Sequence, residues 1–307
     1  SFFLSILAVG AVLAGCSKSE IVDSKYNDQA ISFEKYLGRD AQTKAAVTTT
    51  VNIADFGLYG FYTGAEKWSE ETTPNLWNNV QVTKTNSWAP ADKKYWTNES
   101  DFYSFLAYSP YPTVENGVVA IPGADPKVTY TVNTTIASQV DLLYANTPAV
   151  DGANGHIDMV KPTNNTVALN FQHALSRITV KASEANTDYS YTIYGLELSG
   201  KFVKTKTFDI EDGAWITSES DVNETASYFI KTVTTGENNA LTDGVIVPDT
   251  TEEGKTAHDF AGENNYLMII PVDLDATATE GDVTTYPDAA TLKVTYTTTF
   301  DGHESTP

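Results

Sequence analysis

The chain has 307 residues, 41% of them hydrophobic and 11% aromatic, which is enough apolar material for the cores of two ordinary domains. The formal net charge is -21. That excludes nucleic acid, whose phosphates need clustered Lys and Arg, and electrostatic docking on anionic lipid. A single cysteine, Cys16, excludes any disulfide within the chain.

The first element is an apolar run from Phe2 to Leu13 that ends in Leu13-Ala14-Gly15-Cys16. A short apolar core followed by small residues marks a secretion signal. A cysteine directly after Leu-Ala-Gly makes it a lipoprotein signal, because the thiol can carry diacylglycerol. A membrane span is the competing reading. Twelve helical residues reach only about 18 Å, however, against a hydrocarbon core of about 30 Å. The expected course is export, a cut before Cys16 and lipid attachment there. The missing Met and basic start suggest that sequence is lost before Ser1.

Residues 17–30 are polar and mixed in charge, as a tether would be. In Ala30-Ile31-Ser32-Phe33-Glu34-Lys35-Tyr36-Leu37, Ile31 and Phe33 alternate with polar neighbours, which predicts a strand. The polar segment that follows carries Arg39 and Lys44, and such segments are exposed to proteases. Beyond Val47 come short β-rich runs at 56–62, 80–82, 102–108 and 128–132, with no sustained helical period. A turn-rich break spans 151–166, and a second series follows at 167–180, 189–198, 266–272 and 292–300. Residues 212–263 read as long loops around shorter strands. Abundant Thr, Val and Tyr suit strands better than helices. The fold class expected is all-β, with two sandwich domains in tandem.

Chemistry is sparse. There is no HExxH, CxxC, GxSxG or phosphate loop, so no catalytic residue, cofactor or metal is assigned. His173, in a strand-like run, reads as a structural histidine bonded to nearby backbone rather than a base or ligand. Asp151, Asn154, His156 and Asp158 cluster in a Gly-rich loop, but their spacing does not match a calcium loop. Asp273 and Asp275 are a weaker pair still. The aromatic group Trp88, Tyr95, Trp96, Phe102, Tyr103, Phe105, Tyr108 and Tyr111 allows two readings. One is an exposed sugar-stacking platform. The other, preferred here, is a hydrophobic core with polar tips at its edge.

Several separated pieces resemble the fimbrillin family of pilus subunits. They are Leu13-Ala14-Gly15-Cys16, Ile31-Ser32-Phe33 ahead of Arg39, Ser87-Trp88 with Tyr95-Trp96, and Phe105 to Tyr111. Asp141-Leu142-Leu143-Tyr144-Ala145, Val167 to Ile178 and Tyr266 to Pro271 complete the set. The resemblance implies transthyretin-like β-sandwiches. It also implies a lipoprotein precursor, lipidated at Cys16 and carried to the outer membrane and cell surface. A trypsin-like cut after a basic residue, here Arg39 or else Lys44, then removes the first strand. A strand from a neighbouring pilus subunit takes its place. The segments expected are a signal peptide (1–15), a tether with the removable strand (16–45), and domains at 46–162 and 163–307, the last cut short. The family's donor strand follows the segment matching Leu292–Phe300, which leaves a tip or terminating role open here. The function implied is a non-enzymatic fimbrial subunit serving cell adhesion, with room for a host or bacterial surface ligand. The alternative is a lipid-anchored glycan-binding protein that never polymerises, which requires Trp88 or Trp96 to face solvent. A secreted hydrolase would need a polar cleft with convergent acids.

Overall fold

The computed structural model describes residues 30–37, 52–69, 72–121, 125–150, 155–185, 188–217, 224–251, 254–260, 266–272, 278–280, 283–285, 290–300 and 303–305. Nearly all the regular structure among them is strand. The exceptions are two 3-10 turns, at Ile136–Ser138 and Glu237–Asn239. The all-β class expected from Thr, Val and Tyr is the class found.

The first nine strands are β1 (Ser32–Leu37), β2 (Asp55–Gly64), β3 (Trp77–Lys84), β4 (Trp88–Pro90) and β5 (Phe102–Ser109), then β6 (Val118–Ile121), β7 (Lys127–Thr131), β8 (Leu143–Ala145) and β9 (Thr166–His173). Seven of them close into a barrel in the order β1-β4-β3-β2-β5-β8-β9. Its interior is a core of Ile31, Phe33, Phe56, Leu58, Trp77, Val82, Trp88, Trp96, Phe105, Val167, Leu169 and Phe171, among others, all buried. Strands with one face on this core alternate in character, as β1 and β9 do. Strands β2 and β5 do not alternate, because both of their faces are covered. Phe56 and Leu58 point into the barrel, whereas Tyr59, Phe61, Leu106 and Tyr108 enter a second core outside it. That double burial is why 102–108 is the most apolar stretch.

The later strands are β10 (Ser176–Ile178), β11 (Lys181–Ala182), β12 (Tyr189–Phe202), β13 (Thr205–Asp209), β14 (Ala214–Trp215) and β15 (Glu224–Lys231), followed by β16 (Thr234–Thr235), β17 (Leu241–Thr242), β18 (Val245–Ile246), β19 (His258–Asp259) and β20 (Leu267–Ile269). The last four are β21 (Ala278–Glu280), β22 (Val283–Thr285), β23 (Thr291–Phe300) and β24 (His303–Ser305). The long β12 is flanked by β15 and β23, with β24 beyond β23 and β18 also paired to β12. A separate sheet runs β14-β13-β7-β6 and so takes two strands from each side of residue 162. Its β7–β13 pairing carries hydroxyl contacts Thr129–Thr207 (3.2 Å) and Thr131–Thr205 (2.9 Å). Phe202, Phe208, Tyr228, Leu267 and Ile269 join Tyr59, Phe61 and Tyr108 in one core, which fixes the second β series against the outer wall of the barrel. The run 167–180 breaks at Ala174, whose N–H donates to the Leu142 carbonyl (2.9 Å). Before the break β9 pairs with β8, and after it β10 pairs with β20.

Candidate functional site

The seat of β1 is the part of the barrel on which the sequence expectations converge. Strand β1 lies parallel to β9, with six register pairs from Ser32↔Thr166 to Leu37↔Phe171. On its other side it meets β4 through one pair, Phe33↔Trp88. Backbone bonds anchor its start. The Ile31 N–H donates to the Lys94 carbonyl (2.9 Å), and the Ser32 N–H donates to the Asn165 carbonyl (3.3 Å). The Trp96 indole N–H reaches the same Asn165 carbonyl (3.2 Å), and the Ser32 and Thr166 hydroxyls lie 2.9 Å apart. This end of β1 is therefore held from both sides.

The two-residue period sets the side chains. Ile31 and Phe33 are 2% and 1% exposed. Phe33 meets Phe105 (5.5 Å between centroids), Trp77 (5.9 Å) and Phe56 (6.3 Å), all edge to face. Lys35 also points inward. Its Nζ donates to the Ile53 carbonyl (2.7 Å) and lies 4.7 Å from the centroid of the Trp88 ring. Desolvation lowers its pKa, and the neighbouring charge of Lys84 lowers it further. Glu34 and Tyr36 face solvent, with the Tyr36 hydroxyl donating to Glu34 Oε2 (2.7 Å). Without β1, the barrel would present an unpaired edge along Thr166–Phe171 of β9 and an apolar slot floored by Phe56, Trp77 and Phe105.

Lys35 is the residue that sequence reasoning missed. In a strand that alternates from Ile31 and Phe33, its odd position was the available signal. Cys16, Arg39 and Lys44 lie outside the described residues, as do Asp151, Asn154, Asp273 and Asp275. Strand β1 ends at Leu37, two residues ahead of Arg39.

The remaining candidates fall into the scaffold. Of the aromatic group, Trp88, Trp96, Tyr103, Phe105 and Tyr108 are buried, with Trp88 at 7% and Trp96 at 1% exposure. Neither tryptophan offers a face to a sugar. The Tyr103 hydroxyl accepts the Thr97 N–H (3.0 Å), the polar tip at the edge of the core. His173 differs from expectation: its Nδ1 bonds the buried Asp141 carboxylate (2.8 Å) rather than backbone. The register pair Leu143↔His173 sets the ring close to that acid.

His156 is fully buried. Its Nε2 accepts the Thr147 N–H (3.1 Å), so its proton sits on Nδ1, which donates to the Phe105 carbonyl (2.6 Å). Burial pushes its pKa down to about 4, partly offset by the Phe105 bond. Asp158 Oδ1 accepts the Trp68 N–H (2.8 Å). Among the described residues no group of His, Cys, Asp and Glu could hold a metal. No helix among them is long and apolar enough to cross a membrane. A cleft of about 570 Å³ on the β12–β23 sheet is walled mainly by Ala182, Tyr191, Ile193, Val247, Val294 and Tyr296. Glu184 is its single acid, so the cleft does not bring carboxylates together for hydrolysis.

Comparison with known proteins follows the same lines. Residues 43–302 match the profile of a family described as fimbrillin-like. Over 253 residues the chain is 28% identical to fimbrium subunit Fim1C of Phocaeicola vulgatus. That alignment covers 73% of this chain and 64% of the relative, so the chain spans a little under two thirds of the relative's length. In three dimensions it is similar to a fimbrial protein from Bacteroides vulgatus, with a TM-score of 0.69 at 20% identity, over 91% of this chain and 87% of the other. At that identity the likeness shows a shared fold. The family profile covers most of the sequence, including both β series, and the chain belongs to the fimbrillin-like family.

Proposed function

We propose that this chain is a structural or tip subunit of a fimbrium, assembled by exchange of β1 for a strand of a neighbouring subunit and serving cell adhesion. In this reading the precursor is exported as a lipoprotein, lipidated on Cys16 and tethered to the outer membrane. A cut after Arg39 or Lys44 then separates β1 from the rest of the chain.

The observation that carries the reading is the seat of β1. The strand is an integral stave of the barrel, yet its only covalent link to the other staves is the segment after Leu37 that holds both basic residues. Each buried β1 side chain contributes about 1.5–3 kcal/mol, and losing the strand also strips the backbone partners of β9. A barrel so opened has a strong drive to acquire another strand, because an added strand satisfies the backbone and its alternate side chains fill the pockets. Such contacts run head to tail and propagate into an open filament. The relatives support the setting, since Fim1C is named as a fimbrium subunit.

The test is the N-terminus of the protein taken from the cell surface, read by peptide mass spectrometry. The expected result is a start at Asp40 or Ala45. A lipidated Cys16 joined to an uncut segment running through Arg39 and Lys44, in protein recovered from filaments, would overturn the proposal.

A further inference from the structure

Four side chains point into the barrel, Ile31 just ahead of β1 and Phe33, Lys35 and Leu37 within it, and they differ in kind. The seat is correspondingly uneven. At the second position three aromatic edges converge, from Phe56, Trp77 and Phe105, and a planar ring meets all three edge to face. An aliphatic residue would fill part of that volume without those contacts. The charge of Lys84 opposes a cation at the third position, but the lining there is the Ile53 carbonyl and the face of Trp88. Both attract a cation. An apolar residue there would leave the Ile53 carbonyl without the donor it has now, and a carboxylate would be repelled by both groups. The outward positions Glu34 and Tyr36 touch little and impose no demand.

We infer that the β1 seat selects its incoming strand by two side chains. An aromatic ring occupies the place of Phe33, and a Lys or Arg two residues later occupies the place of Lys35, with the strand running parallel to β9. The partner is an extended segment of another subunit carrying aromatic-x-cation between apolar residues. This inference rests on strand exchange at the seat, and it adds which strands are accepted.

The experiment uses the full chain with a specific protease site replacing Arg39. After cutting, fluorescent peptides of residues 29–38 are added and binding is followed by anisotropy. The native peptide and its Glu34→Ala form should bind alike. Phe33→Ala should bind about a hundredfold more weakly or worse, and Lys35→Glu about tenfold more weakly. Equal affinity for all four peptides would overturn the inference. A second measurement separates it from the exchange reading. The same substitutions in the uncut chain should lower the urea midpoint in the order Phe33→Ala, Lys35→Glu, Glu34→Ala, the last near zero. If that order holds but the cut chain takes up no peptide, exchange falls and selection of an incoming strand falls with it, leaving Phe33 and Lys35 only as the positions that seat β1 in its own chain. If Glu34→Ala costs as much as Lys35→Glu, the selectivity falls.

Discussion

Phe33 stands opposite Trp88 in the antiparallel register of β1 and β4, and that one pair closes the seven-stranded barrel. Trp88 also carries Lys35 over its ring face and packs against Phe56 (5.7 Å). The closure is thus made by side chains more than by a backbone ladder, and the opposite side of β1 supplies the ladder. A stave held in this way has one strong edge and one weak one.

Truncation of the keystone ring should be costly. Phe33→Ala removes a fully buried phenyl from contact with three aromatic neighbours. It should destabilise the uncut chain by about 3–5 kcal/mol. Urea unfolding followed by tryptophan fluorescence would show it, since Trp77 lies within the same cluster. A loss below about 1 kcal/mol would mean that β1 is not part of the cooperative core.

Gly57 on β2 faces Tyr108 on β5, its register partner. A Cβ at Gly57 would lie 2.3 Å from Tyr108 Cε1, and the ring is fully buried with its hydroxyl bonded to Asn79 Oδ1 (2.6 Å). The ring cannot retreat without breaking that bond. Gly57→Ala should therefore destabilise by about 1–3 kcal/mol, whereas Gly64→Ala meets no neighbour and is strained only by its positive φ. Thermal melts of the two variants should rank Gly57→Ala lower.

His156 makes stability sensitive to acid. The unfolded chain takes up a proton at this residue as pH falls through its ordinary value of 6.5, while the folded chain resists until about 4. Its contribution is therefore present above 6.5 and is lost as pH falls from 6.5 toward 4, to a total of about 3 kcal/mol. His156→Asn cannot titrate. It should start less stable and then lose about 2 kcal/mol less than the parent between pH 6.5 and 4.5, by urea unfolding at those two values. Parallel losses in the two proteins would assign the acid sensitivity to carboxylates elsewhere.

Lipid attachment makes its own prediction. Cys16→Ser removes the chain's only thiol. In cells expressing the parent from its full precursor, metabolic palmitate label should follow the uncut protein into the membrane fraction, and the variant should lose both label and fractionation. Retained label on Cys16→Ser would place the lipid on another group.

Much of the candidate site was legible in the sequence. The Ile31–Phe33 alternation located β1 and its inward face, because a two-residue period is a local property that any half-buried strand must show. The odd position of Lys35 pointed it inward, but the groups that hold a charge there were not legible. Its ammonium lies over the Trp88 ring and donates to the Ile53 carbonyl, and neither partner is adjacent in sequence. The partner of His173 was missed for the same reason. Asp141 lies 32 residues away and is brought near by the β8–β9 pairing.

By itself, the sequence determined the all-β class, the position of most of the longer strands, the two faces of the first strand's leading half and membership of the fimbrillin-like family. Those follow from composition, local period and residue pattern. Tertiary structure alone decided which strands are neighbours: β1 beside β9, with Ser32 and Thr166 134 residues apart, and β7 beside β13. It also decided that Trp88 and Trp96 are core residues rather than a surface platform. Alternation says which side chains share a face. Register is set by long-range packing between faces, and no local pattern encodes the partner.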